Sequence, residues 1–349
     1  VSARRKRDAG PSLFVEPVAP PPPARIPRVV AGIDEAGLGP LLGPLALGFS
    51  AFRASEHALW SALAAIATQE LKEDATKLVV ADSKHVFTRD ARGERRLERT
   101  ALAFLSLGGT LAAPRTGAEL FQNLPRELAG ERPWSSEHWF AHLPAELPWA
   151  CDKAELVQAR LELARALGAA DIELLEAGFR ALPVFELNRS FDATQSKGRT
   201  QWDKTLPILA RLWQRHASEG LDLVVDRQGG RMRYQANLEQ AFPRARVRMT
   251  SENETLSEYQ VEELAGPRWM RVRFAVQAES LSFPVALASC LAKYTRETCM
   301  RAFNASFTAL EPTLVPTAGY VTDARRWLKD AETMLAREGY ERSELVRSR

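Results

Sequence analysis

Residues 29–44, reading Val-Val-Ala-Gly-Ile-Asp-Glu-Ala-Gly-Leu-Gly-Pro-Leu-Leu-Gly-Pro, constrain the fold more than any other stretch of the chain. The apolar run 29–33 has the pattern of a buried strand, and it delivers two adjacent acids, Asp34 and Glu35, into a glycine-rich turn. Acids at turns are ordinarily just solvated. Here Gly37, Gly39 and Gly43, set among Pro40 and Pro44, demand a specific backbone path that argues against that reading. If the strand is central, its end lies beside other strand ends, where carboxylates from distant parts of the chain converge and hold a divalent metal.

The same arrangement recurs twice. Residues 223–225, Leu-Val-Val, form another buried-strand pattern that ends in an acid, Asp226, followed by Gly229 and Gly230. A strand at 270–276 leads to Glu279, ahead of a long helix over 282–303 rich in small residues. A lone Glu at such a junction is usually a helix-dipole residue. With Asp34, Glu35 and Asp226, however, it makes four carboxylates, each at the end of an element.

Between these points the periodicity predicts a strand at 45–52, an Ala-rich helix at 56–70 and a strand end at 79–81 leading into Asp82-Ser83-Lys84. Those three residues read either as a turn and helix cap or as contacts to a phosphate backbone. A helix follows at 90–107 and a short strand at 110–113. Residues 115–150, with four prolines and Trp134, Trp139 and Trp149, read as an insertion packed by its aromatics. His138 and His142 have the spacing of metal ligands on one helical face, but without a third ligand they read as packed or surface histidines. Helices are expected at 153–167, ended by Gly168, and at 204–217, with strand-like alternation at 177–187 weakened by Pro183. A strand at 244–250 precedes an acidic stretch (Glu252, Glu254, Glu258, Glu262, Glu263) that reads as a solvated hairpin or loop. Residues 318–322 form a turn into a helix at 323–337 that carries Arg325, Arg326 and Lys329.

A chain of 349 residues with 45% apolar content suits one large domain or two small ones. Its net charge of +3 is too small to argue for nucleic acid on its own. Three cysteines without a CxxC pair fit a reducing compartment, hence the cytoplasm, with neither a disulfide framework nor structural zinc. No apolar run reaches the roughly 18 residues of a membrane span, and residues 1–28, with Arg4, Arg5, Lys6, Arg7 and Pro20 to Pro23, read as a mobile basic tail without a secretory segment.

The run Gly32-Ile33-Asp34-Glu35-Ala36-Gly37-Leu38-Gly39-Pro40 with Gly43-Pro44 resembles the signature of type 2 ribonucleases H, the HII and HIII enzymes. Asp82-Ser83-Lys84, Val224-Val225-Asp226, the run Ala288-Ser289-Cys290-Leu291-Ala292-Lys293-Tyr294-Thr295-Arg296-Glu297 and Gly319-Tyr320-Val321-Thr322 agree with it in order. The resemblance implies an α/β chain of RNase H-like fold, a central mixed β-sheet flanked by helices. Residues 29–349 would form the catalytic domain, with a large atypical insertion at about 115–187 and a C-terminal helical extension at about 305–349. It further implies that Asp34, Glu35, Asp226 and Glu279 are the catalytic and metal-binding acids for Mg²⁺ or Mn²⁺, two ions with substrate. Gly37, Leu38, Gly39, Ser83, Lys84, Lys293 and Tyr320 would bind substrate, Tyr320 packing against a sugar at an RNA–DNA junction.

The implied activity is endonucleolytic hydrolysis of the RNA strand of RNA–DNA hybrids or ribonucleotide-containing duplexes, leaving 5′-phosphates, by a monomer that needs no membrane. The departures from the signature are Leu38 where HII enzymes carry Arg, Ala278-Glu279-Ser280 in the HIII manner beside an HII-like Pro40, Arg227-Gln228 before the glycines, and Ala318 in place of Lys. They leave room for a nuclease of this fold with another structured nucleic acid as substrate, or for a binding relative without turnover. Retention of all four acids argues against the last, since a binding module gains nothing from mutually repelling carboxylates.

Overall fold

The computed structural model describes residues 26–54, 58–109 and 113–349. Most of the basic tail (1–25) and all but the last residue of the strand expected at 110–113 lie outside the described residues. The opening apolar run forms β1 (Val29–Ala36), antiparallel to β2 (Leu45–Arg53). The helix expected at 56–70 is only α1 (Ala58–Ala62). Beyond it the backbone extends into β3 (Ala67–Thr68), which pairs in parallel with β4 (Leu78–Val79), and Leu78 N–H donates to the Ile66 carbonyl at 2.8 Å. Tertiary pairing overrides the helix propensity of this Ala-rich run.

Asp82 caps α2 (Ser83–Val86), accepting from Lys84 N–H at 3.0 Å, and Asp90 caps α3 (Ala91–Leu107), accepting from Gly93 N–H at 2.8 Å. After α4 (Gly117–Gln122) the chain is largely irregular, held by Trp134 and Trp139 packed with Phe121. Next, α5 (Lys153–Ala169) leads to β5 (Glu173–Leu182). The strand expected to reach Leu187 stops at Pro183, whose missing N–H suits a helix start, so Phe185 and Leu187 lie on α6 (Val184–Thr194). Helix α7 (Lys197–His216) starts earlier than residue 204, under a Ser196 cap. It is followed by β6 (Leu221–Asp226), α8 (Gln235–Ala241) and β7 (Ala245–Glu252). The acidic stretch completes a hairpin as β8 (Leu256–Glu263), and β9 (Trp269–Ala275) follows. The remaining elements are α9 (Ala278–Leu281), α10 (Phe283–Leu310), α11 (Val321–Asp330), α12 (Glu332–Glu338) and α13 (Arg342–Leu345). No helix among the described residues is long and apolar enough to cross a membrane.

The large sheet has the order β5-β2-β1-β6-β9-β8-β7. Strands β5, β2 and β1 form an antiparallel meander, β1, β6 and β9 run parallel, and β8 and β7 turn back antiparallel. This is a mixed sheet flanked by helices, as the resemblance implies, with further helices beyond the core sheet. Within the stretch read as an insertion, β5 is an edge strand of the main sheet in register with β2, so the end of that stretch is core.

Helix α10 lies unusually close to β1 and β2. A Cβ on Gly32 would fall 2.3 Å from the Pro284 carbonyl carbon, and one on Gly48 2.0 Å from the Ala288 carbonyl oxygen. Ser50, opposite Gly32, fills the same seam by donating its hydroxyl to the Pro284 carbonyl at 3.0 Å. Both obstructing groups are backbone, so they cannot swing aside. Gly32→Ala and Gly48→Ala should each cost about 2–3 kcal/mol or more in urea denaturation, as overpacked cores do. A loss below about 1 kcal/mol would mean that α10 slides off the sheet freely.

Candidate active site

Strands β1 and β6 are paired in parallel up to Ile33 and Val225, so Asp34 and Asp226 stand side by side one step further on. Neighbouring residues of a strand face opposite sides of the sheet. Asp34 faces α10 with Gly32, while Glu35 lies toward α7. One oxygen from each of Asp34, Glu35 and Asp226 falls within 4.8 Å of the others. Residues separated by most of the chain thus meet at one rim of the sheet, between its antiparallel and parallel halves.

Each acid has its own support. Asp34 is only 8% exposed; its Oδ1 accepts the Glu35 N–H at 2.7 Å, and the Ser289 hydroxyl of α10 also serves it. Ser289 Oγ in turn accepts the Ser83 N–H at 3.2 Å, tying the start of α2 to the site. The Gln201 side chain of α7 stands at Glu35. Asp226 accepts the Ala278 N–H at 3.4 Å, at the start of α9. Glu279, one residue further, is partly buried and outside the tight triplet, yet near enough for its charge to act on both aspartates.

These carboxylates strain one another. Burial first, then Asp226, pushes Asp34 up to about 8 against the help of Ser289 and the Glu35 amide. Burial, then Asp34 and Asp226, holds Glu35 well above the ordinary carboxylate range, with Gln201 and Lys84 opposing. Asp226 rises to about 6 through burial and then Glu279, opposed by the Ala278 N–H and Lys84. Three other buried acids in this fold are neutralised by cations, while Glu98 is held by the amides of Trp149, Ala150 and Cys151 and by the Tyr294 hydroxyl. Glu176 meets Arg211 at 2.6 Å and His216 at 2.7 Å, Glu186 meets Lys204 at 2.8 Å, and Asp222 meets Arg273 at 2.9 Å. No guanidinium pairs with Asp34, Glu35 or Asp226 among the described residues.

The residues expected to bind substrate divide. Gly37, at φ +91°, and exposed Gly39 flank Leu38 beside the acids, and Lys84 is exposed near Glu35 and Asp226. Tyr320 precedes α11 and is 48% exposed. Ser83 is buried and acts through its backbone N–H. Lys293 is 8% exposed, bonds Glu297 at 2.5 Å and lies over the Phe87 ring at 4.4 Å, so its ammonium is already engaged within the protein. His138 is partly buried against Phe307 and Tyr340 while His142 is exposed, and they form no metal cluster among the described residues.

Sequence reasoning did not single out Gln201 or Ser289 as supports. Ser289 had a signal, a polar residue within the apolar face of a helix; Gln201 had none. Nor was the loop after Asp226 legible. Arg227 and Gln228 point inward, Arg227 to the Asn253 carbonyl at 3.0 Å and Gln228 to the Thr205 hydroxyl at 2.8 Å, and so fix the strand end without an immediate glycine.

No family model and no curated protein matches the sequence. Among solved structures, the chain is similar to ribonuclease HII of Archaeoglobus fulgidus, solved in complex with PCNA, with a TM-score of 0.40 and 16% identity over 92% of this chain and 94% of that one. It is similar to ribonuclease H2 of Pyrococcus horikoshii, with a TM-score of 0.40 and 13% identity over 91% and 92%. It is also similar to Bst ribonuclease HIII in complex with Mn²⁺, with a TM-score of 0.44 and 14% identity over 91% of this chain and 65% of that one. The chain is structurally similar to ribonucleases HII and HIII across most of its length.

Proposed function

We propose that this chain is a metal-dependent endonuclease that hydrolyses the RNA strand of RNA–DNA hybrids, with residues 29–349 acting as one catalytic domain. The observation that carries this reading is the triplet of Asp34, Glu35 and Asp226, gathered within 4.8 Å without a guanidinium to balance it. Such a donor set, all carboxylate oxygen, fits hard divalent cations such as Mg²⁺ or Mn²⁺. Asp34, Glu35 and Asp226 would hold them, with Glu279 at the margin. Bound there, they would supply a water of lowered pKa and neutralise charge on the phosphoryl group.

The chain's own residues would do the rest. Ser289 and the Glu35 amide fix the Asp34 carboxylate, and the Ala278 N–H fixes Asp226, so neither need reorganise when a phosphate arrives. Lys84 would meet a backbone phosphate from the solvent side. The amides of the Gly37–Gly39 turn would meet the 2′-hydroxyl that marks the RNA strand. Tyr320 would lay its exposed ring against the sugar. Its three cysteines are all free and buried, which suits the cytoplasm as the working compartment.

Two measurements test this reading. A carboxyl whose folded pKa lies above its unfolded value binds more protons folded than unfolded, so stability falls as pH rises. For Asp34 that loss begins near the unfolded value of about 4 and is complete above about 8. In EDTA, Asp34→Asn should therefore raise Tm at pH 8 and leave it nearly unchanged at pH 4. Mn²⁺ should raise the Tm of the wild type far more than that of the variant; equal rises would remove Asp34 from the metal site. The second measurement offers Mg²⁺ or Mn²⁺ with hybrid, single-ribonucleotide DNA, all-DNA and all-RNA duplexes. Cleavage is expected only where ribose is paired to DNA, and Asp226→Asn should lower it by about 10³-fold or more. Cleavage of another duplex instead would assign a different substrate, and binding without products would end the enzymatic reading.

A further inference from the structure

The loop between the acids and β2 is held from beneath by residues far away in the sequence. Leu42 bridges to Val346, and the Arg347 N–H donates to the Leu41 carbonyl at 2.9 Å. The Arg347 side chain then turns under the loop, only 3% exposed. Its Nε and Nη2 donate to the Gly43 carbonyl at 3.0 and 2.7 Å, and its Nη1 donates to the carbonyls of Gly37 and, at 3.4 Å, Leu38. Asn188 holds this segment from the other side, donating to the carbonyls of Ser343 (2.8 Å) and Val346 (2.9 Å) and accepting the Ser348 N–H at 2.8 Å.

In a trans peptide the carbonyl of one residue and the N–H of the next point in opposite directions. Drawing the Gly37 and Leu38 carbonyls inward onto Arg347 therefore turns the N–H groups of Leu38 and Gly39 outward. Neither N–H has an acceptor among the described residues. A second buried guanidinium adds to the effect: Arg296 donates to the Leu42 carbonyl at 3.3 Å and the Ala318 carbonyl at 3.1 Å, and lies 5.8 Å from the Tyr320 ring centroid. Arg347 has no carboxylate partner among the described residues, and burial first, then the Arg296 charge, brings its pKa down to about 9. The Glu297 carboxylate, 3.8 Å from Arg296 Nη1, offsets part of that charge, but the Arg347 guanidinium beneath the loop has no such partner, and with two amides facing out the surface favours an anionic, oxygen-rich ligand.

We propose that Arg347 is a positioning residue: by gathering the carbonyls of Gly37, Leu38 and Gly43 it presents the Leu38 and Gly39 amides to the ribose-phosphate of the RNA strand. This rests on the hybrid-hydrolysing reading above for its ligand, but not for its geometry. Arg347 touches no reacting atom. It sets whether the turn can tell ribose from deoxyribose.

The test uses the full chain and its variants Arg347→Ala, Arg347→Lys and Asn188→Ala. Binding of an RNA–DNA hybrid and of a DNA duplex of the same sequence is followed by fluorescence anisotropy in Ca²⁺, with hydrogen exchange of residues 36–43 measured alongside. Arg347→Ala should weaken hybrid binding by about tenfold while leaving the DNA duplex within about threefold, and should speed exchange of the loop by about tenfold. Arg347→Lys should resemble Arg347→Ala, because one ammonium cannot span the carbonyls of Gly37 and Gly43 as the guanidinium fork does. Asn188→Ala, which frees the segment without touching the loop, should fall between, and serves if Arg347→Ala fails to fold. An unchanged ratio of hybrid to DNA affinity, even with lowered Tm or faster exchange, would make Arg347 a merely structural residue and overturn the proposal. If the wild type itself prefers neither duplex, the functional reading fails, and loop exchange alone decides the geometric part. Faster exchange in the variants would then support it and unchanged exchange would overturn it.

Discussion

The long helix α10 can reach the sheet only because Gly32 and Gly48 offer it no side chain, and the arrangement of the site follows from that approach. Ser289, Arg296 and Met300 are spaced seven and four residues apart, so they share one face of the helix. Ser289 serves Asp34, Arg296 lies where a Cβ on Gly37 would fall, and Met300 lies where one on Gly43 would fall. A single helical stripe therefore sets the height of the acid and the path of the glycine turn together. A shift of α10 by a fraction of a turn would move both, which is why packing rigidity and site geometry are here the same property.

The electrostatics are arranged against the stability of the metal-free fold. Glu176, Glu186 and Asp222 are buried more deeply than the site acids, and each is given cations. The triplet at the strand ends receives hydroxyl and amide donors instead, which orient the carboxylates without cancelling their charge. Lys84 is the nearby cation, and it is exposed and on a short helix. Strain of this kind is released by whatever brings positive charge to the rim, so ligand affinity and fold stability are linked through the same groups.

On the other side of the turn, Arg347 is a buried positive charge without a carboxylate partner among the described residues, while Arg296 has Glu297 at 3.8 Å. Arg347 donates from Nε, Nη1 and Nη2 to backbone carbonyls, and Arg296 gives its Nη2 to those of Leu42 and Ala318. Carbonyls meet the hydrogen-bonding needs of a guanidinium but do not cancel its charge. The rim thus carries a negative pole at the acids and a positive one beneath the loop, a few residues apart.

The strand ends were legible in the sequence because a strand buried on both faces leaves a continuous apolar run, and a carboxylate ending such a run has few structural uses. That pattern placed Asp34, Glu35 and Asp226 at element ends, while the mixed sheet with its flanking helices was an expectation from the resemblance. Local signals failed where pairing with distant residues decided the outcome: the Ala-rich run after Ala62 became β3 because β4 was there to pair with it, and Pro183 ended β5 rather than merely weakening it. Only the tertiary structure decided that Lys293 is engaged by Glu297 and that Glu279 stands just outside the triplet. It alone set Arg347 beneath a turn some three hundred residues away in sequence. Sequence fixes what lies along one strand or one helix face, since that depends on neighbours a few residues apart. Which side chains meet across the rim depends on the register between elements, and the close seam between α10 and β1 sets that register.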